Sequence, residues 1–132
     1  MNAILLDTDV FSYLIRIEDT RGELYRPFIK DKAVAISFVS IAELYFWAAK
    51  RKWGPQKIVR LEERLTTCTF IPYDLELCKT YARVKSALPP GLVVPANDLW
   101  IAICAIRHSI PLLTNNKKDF VSIPGLTLQS IP

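Results

Sequence analysis

The sequence predicts an α/β fold with a parallel sheet covered by helices on both faces. Two observations carry this. Short, continuously apolar strands alternate with helical stretches along the chain. No repeat or shift in composition divides the 132 residues, which suits one domain over 1–132. The elements follow in order. Ala3–Leu6 (AILL) is a short apolar strand that ends at Asp7. Thr8–Ile17 and Arg21–Lys30 read as helices, and Ala33–Ser37 as the second strand. A helix runs from about Ile41 to Lys52 and is stopped by Gly54-Pro55. Gln56–Thr67 is helical, Thr69–Ile71 a brief strand, and Leu75–Leu88 a helix. Pro89 to Pro95 holds three Pro and one Gly and reads as a rigid loop. Asn97–His108 is apolar almost all round, so it reads as a buried helix. Leu112–Thr114 is a strand, and Leu126–Leu128 a last one after Pro124-Gly125. In such sheets ligands bind beyond the carboxyl ends of the strands.

Composition narrows the function. With 51% hydrophobic and 23% charged residues, the chain is not disordered. Its longest strictly apolar run, Leu99 to Ile106, is far short of the roughly 20 residues of a membrane span. The opening MNAILLDTDV has no basic segment and meets Asp7 at once, so it does not read as a signal peptide, and a cytoplasmic protein is expected. Cys68, Cys78 and Cys104 form no CxxC pair, which argues against a disulfide framework or structural zinc. Cys104 reads as a small buried hydrophobe. The single histidine, His108, lies near a helix end, where it suits the dipole. No paired-His zinc motif and no GxSxG elbow is present. The net charge is +4. Lys50, Arg51, Lys52, Lys57, Arg60 and Arg64 cluster, as do Lys117 and Lys118, which suits either a nucleic-acid footprint or a solvated helix face.

Several polar positions stand out against apolar surroundings. Asp7 directly follows a strand, and Glu43 is the only charge between Val34 and Ala49. Asp98 opens the apolar helix, and Asn116 and Asp119 follow the strand LLT. Each has a local explanation. Asp7 or Asp9 suits a cap for the first helix, and Asn97 or Asp98 one for the buried helix. Ser40-Ile41-Ala42-Glu43 matches a capping box. By this topology, however, Asp7, Glu43 and the Asn116–Asp119 segment all lie just past strand carboxyl ends, and Asp98 joins them if its helix starts at the same rim. Two carboxylates about 4 Å apart repel by about 4 kcal/mol at an effective dielectric of about 20. Only Lys117 and Lys118 lie next to them in sequence. A hard divalent cation, Mg²⁺ or Mn²⁺, is the simplest counter-charge. With a basic surface nearby, metal-assisted phosphodiester hydrolysis is the chemistry expected.

Four segments resemble the PIN-domain ribonucleases, specifically VapC-type toxins of toxin–antitoxin systems. They are Ile4–Leu14, Ile36–Ala48, Pro95–Ala105 and Leu112–Leu128, in the family's order and spacing. The resemblance implies a three-layer α/β/α sandwich with a central parallel sheet. It implies metal-assisted RNA cleavage with Asp7 and Asp98 as metal ligands and Glu43 orienting or deprotonating water. The fourth acidic position falls on Asn116 or Asp119, and Asn116 carries no charge. Thr114 suits a hydrogen bond to a phosphate or a metal-bound water, or a plain strand end. Lys117 and Lys118 suit the RNA backbone. The resemblance further implies a small VapB-type antitoxin that blocks the site, and a homodimer. Tyr45, Phe46, Trp47 and Trp53 suit such an interface, or the core. Asp7-Thr8-Asp9 also resembles the nucleophile motif of haloacid-dehalogenase-type phosphatases, and a PIN fold kept as a non-catalytic binding module is a further alternative.

Overall fold

The structure, a computed structural model, describes residues 2–16 and 18–131. Its strands are β1 (Ala3–Leu6), β2 (Ala33–Ser37), β3 (Thr69–Ile71), β4 (Leu112–Thr114) and β5 (Leu128–Ser130). Its helices are α1 (Thr8–Ile15), α2 (Thr20–Ile29), α3 (Phe38–Lys50), α4 (Pro55–Thr66), α5 (Leu75–Ser86), α6 (Ala96–His108) and the short α7 (Lys117–Phe120). The strands form one sheet in the order β3-β2-β1-β4-β5, and every pairing is parallel.

Alternation along the strands divides the core in two. Leu5, Ala35 and Leu112 point to one face and pack with Leu77 and Val84 of α5 and the buried run Ile101–Ala105 of α6. Ile4, Leu6, Ile36 and Leu113 point to the other and pack with Val10, Phe11 and Leu14 of α1, Tyr25 of α2, Leu44 of α3 and Leu61 of α4. The result is the expected α/β/α sandwich. Cys104 is fully buried in the first core, as its apolar run implies.

Several boundaries differ from the sequence reading. The α3 helix begins at Phe38, not Ile41, because Ser37 is its N-cap and accepts from the Ser40 N–H at 3.1 Å. The capping box over Ser40 to Glu43 therefore does not form, and Glu43 is left for another role. The last strand lies two residues later than expected, since Leu128 pairs with Leu112. The α7 helix, only four residues long, was too short to show a period. The first helix ends at Ile15, and Ile17 lies outside the described residues.

Strand order reverses at β1, with β2 on one side and β4 on the other. The crevice beyond the carboxyl ends of β1 and β4 is the switch point where ligands bind in such sheets. The first turn of α1 after β1, of α3 after β2 and of α6 before β4 all face this rim, because each helix runs antiparallel to its strand.

Candidate active site

Asp7 leaves β1 at this crevice and is 95% buried by the neighbouring elements, with 5% of its surface exposed. Its Oδ1 accepts from the Val10 N–H at 2.8 Å and so caps α1. Its Oδ2 accepts from the hydroxyl of Thr114, at the end of β4. Burial outweighs these hydrogen bonds and raises the Asp7 carboxyl from its ordinary 3.8 to about 6. Thr114 is itself fully buried, and its oxygen also accepts from the Asn116 N–H at 2.9 Å. Its one proton is committed to Asp7, so it positions that carboxylate.

Asp98 lies in the first turn of α6, but no side chain caps this helix, whose N-cap is Pro95. The Asp98 carboxylate is therefore not a cap. It is half-buried and raised to about 6, first by burial and then by the carboxylates of Asp119, Glu43 and Asp9. Asp98 therefore lies within electrostatic reach of acids on three other segments.

Glu43 stands on the second turn of α3. The Thr8 hydroxyl contacts its Oε1 at 2.6 Å, and the Asn97 amide donates to Oε2 at 3.2 Å. Thr8 has one proton and the carboxylate can only accept, so that proton points at Glu43. The contact between Thr8 and Ser40, 2.9 Å, then takes its proton from Ser40, and the Ser37–Ser40 contact, 3.3 Å, takes its own from Ser37. A buried hydroxyl chain thus runs from the α3 cap to Glu43 and fixes its carboxylate.

These groups line a polar cavity of about 210 Å³, formed by Asp7, Thr8, Asp9, Glu43, Trp47, Asp98, Asn116 and Phe120. No cation is among them. Asn116 lines the cavity and donates its amide to Asp119. Lys117 and Lys118 are exposed on α7 and do not line it. Among the described residues, no three His, Cys, Asp or Glu side chains form a ready-made metal cage. The donor set still fits a Mg²⁺-like ion, which binds through one or two carboxylates and keeps several waters. Thr8, Asp9 and Asn97 belong to this site although the sequence offered them as helix residues or caps, or, for Thr8 and Asp9, as part of the phosphatase-like motif. Their signal was adjacency to Asp7 and Asp98, and only the folded rim made it meaningful.

A larger apolar groove of about 510 Å³ opens beside the cavity and shares Glu43 and Trp47 with it. Phe46, 63% exposed, lines it. Of the four rings noted in the sequence, Tyr45 and Phe46 are exposed and Trp47 and Trp53 only partly buried, so none is a full core residue. Among the described residues no helix is long and apolar enough to cross a membrane.

The family model for the PIN domain matches residues 4–126. Ribonuclease VapC2 of Rickettsia felis is 31% identical over 128 residues, 96% of each chain. The crystal structure of VapBC2 from Rickettsia felis, bound to a DNA fragment from its promoter, superposes with a TM-score of 0.86 at 29% identity, over 98% of this chain and 99% of that one. VapBC-1 from nontypeable Haemophilus influenzae superposes with a TM-score of 0.83 at 26% identity, over 97% of both chains. These matches set aside the likeness to haloacid-dehalogenase phosphatases. A cavity of carboxylates at the switch point, on a fold and sequence shared over nearly the whole chain, places this protein in the PIN-domain family, in its VapC ribonuclease group.

Proposed function

We propose that this chain, acting as one domain over 1–132, is a metal-dependent endoribonuclease and the toxin of a toxin–antitoxin pair. One observation carries the reading: carboxylates from three segments, Asp7 and Asp9, Glu43, and Asp98, meet in one polar cavity with Asn116 of a fourth and no basic side chain in its wall, and Asp7 and Asp98 are raised to about 6. Asp7 and Asp98 would hold Mg²⁺ or Mn²⁺. Bound there, the ion would polarise a phosphoryl oxygen and lower the pKa of its water. Glu43, with both oxygens held, orients the attacking water and takes its proton. Asn116 holds Asp119 at the rim, so Asp119 supplies the charge of the fourth position. Thr114 acts through Asp7, and Lys117 and Lys118 meet the RNA backbone from the exposed face of α7. A small antitoxin polypeptide lies in the apolar groove and covers the cavity through the shared wall of Glu43 and Trp47. The toxin works as a homodimer in the cytoplasm, where three unpaired cysteines are at home.

The test is cleavage of single-stranded RNA by the purified protein. EDTA abolishes it, and Mg²⁺ or Mn²⁺ restores it. Full activity in EDTA overturns the metal mechanism. RNA that is bound but never cut, with either metal, favours the non-catalytic module instead.

A further inference from the structure

The α1 and α3 helices pack on each other and carry the cavity lining away from the sheet. On α1, Asp9 lines the cavity, and Ser12 and the C-cap Arg16 follow at i+3 and i+7. On α3, Glu43 lines the cavity, Trp47 follows at i+4, and the C-cap Arg51 at i+8. Both spacings return to one helix face. At the far ends of the two helices lies a second polar pocket of about 240 Å³, and Trp47 is in the wall of both. At 1.5 Å per residue, the helices set the two pockets about 10–12 Å apart.

Four cations, Arg16, Arg21, Arg51 and Lys57, meet one carboxylate in this pocket, Asp19. Arg21 takes both oxygens of Asp19, at 2.8 and 3.1 Å. Among the described residues, Arg16, Arg51 and Lys57 form no salt bridge. Aromatic faces hold two of them instead. The Arg51 guanidinium lies 5.2 Å from the Trp47 ring centre, and the Lys57 ammonium 3.8 Å from that of Trp53. A π-face orients a cation but does not neutralise it, so the charge stays available to an anion. Burial, and then the nearby Arg16, Arg51 and Arg60, lower the Lys57 pKa from its usual value. Like charges are held together here just as they are in the acidic cavity, with the opposite sign.

We infer that this pocket is a phosphate subsite for single-stranded RNA, in which Arg16, Arg51 and Lys57 grip the backbone a few nucleotides from the bond that is cut. The inference rests on the endoribonuclease reading. A stacked strand advances about 3.4 Å per nucleotide, so the two pockets lie roughly three nucleotides apart.

Two measurements test it separately from that reading. The first is fluorescence anisotropy of a labelled single-stranded RNA of about 12 nucleotides, with Asp98→Asn as the cleavage-deficient background. Adding Arg16→Gln, Arg51→Gln and Lys57→Gln weakens binding roughly tenfold and flattens the slope of log K against log salt by about 2, at about 0.7 per lost contact. Neutralising Lys79, Arg83 and Lys85 on α5 removes the same charge elsewhere and changes binding less than about twofold if the effect is local. Arg51→Gln alone, at an exposed helix end, weakens binding in the same direction and keeps the test decisive should the triple variant not fold. The second is kinetic: in the active protein the triple variant raises KM for this RNA at unchanged kcat and leaves a dinucleotide substrate unaffected. Unchanged affinity and salt slope overturn the subsite, as does intact RNA binding with lost affinity for a partner polypeptide. A wild type that binds the RNA through these residues but never cuts it with Mg²⁺ overturns the nuclease reading and leaves the subsite standing.

Discussion

Asp7 is held by two elements that favour its charge and by a burial that opposes it. Burial wins, since the carboxyl is raised to about 6. The folded state therefore keeps a proton that the unfolded chain has released above 3.8. Stability of the metal-free protein is full below 3.8 and falls as pH rises through about 6, by on the order of 3 kcal/mol for a shift of this size. Half-buried Asp98 acts in the same direction. Urea melts of wild type and Asp7→Asn in EDTA, from pH 4 to 7, isolate the contribution, and a difference that does not change with pH contradicts it. Asp98→Asn has a simpler outcome because Asp98 caps nothing. Relief of repulsion outweighs the lost attraction to the helix N-terminus, which is about 0.3–1 kcal/mol. The metal-free variant at neutral pH is more stable than wild type by about 1–2 kcal/mol, while RNA cleavage and thermal stabilisation by Mg²⁺ are lost. A variant that still responds to Mg²⁺ removes Asp98 from the metal site.

At the scale of elements, two serines three residues apart compete to start α3. Ser37 wins because Ser40 lies fully buried beneath Thr8, inside the hydroxyl chain that ends on Glu43. Removing the cap with Ser37→Ala lowers stability by about 1 kcal/mol, read from urea melts, and also lowers kcat by loosening Glu43. A loss of stability with unchanged kcat would mean that the chain does not position Glu43. The contact of α1 with α2 depends on Gly22, where a Cβ would sit 2.7 Å from the Tyr13 carbonyl oxygen. Gly22→Ala forces the helices apart and destabilises by about 1–3 kcal/mol, whereas the same change at open Gly54 meets nothing within 4 Å. Equal melts for Gly22→Ala and wild type would contradict this packing.

At the scale of the molecule, Cys104 reports on the whole fold. It is fully buried in the core of α6, and burial raises its thiol to about 12, whereas Cys78 is exposed on α5. A thiol reagent at mildly alkaline pH labels Cys78 at once and Cys104 only through unfolding. An ion at the rim binds only the folded state, so Mg²⁺ slows Cys104 labelling and leaves Cys78 unchanged. A Cys104 rate indifferent to Mg²⁺ means that no ion binds there.

The sequence by itself determined the order of strands and helices apart from short α7, because apolar period and Pro-Gly breaks are local signals. It also determined which acids were out of place, because a carboxylate in an apolar stretch is conspicuous wherever the chain goes. It left each acid with a capping alternative, and those alternatives are decided within a few residues. Tertiary structure resolved them differently at each position: Asp7 caps α1 and also faces the cavity, Asp98 caps nothing, and Glu43 is freed by Ser37. The bonds that settle the site span long separations, 54 residues from Asn97 to Glu43 and 107 from Thr114 to Asp7. The same holds for the basic pocket, where Arg51 and Lys57 of one sequence cluster meet Arg16 and Arg21 from outside it. No local pattern states which side chains meet across a sheet, because burial and the repulsion between carboxylates exist only once β1, β2 and β4 lie side by side.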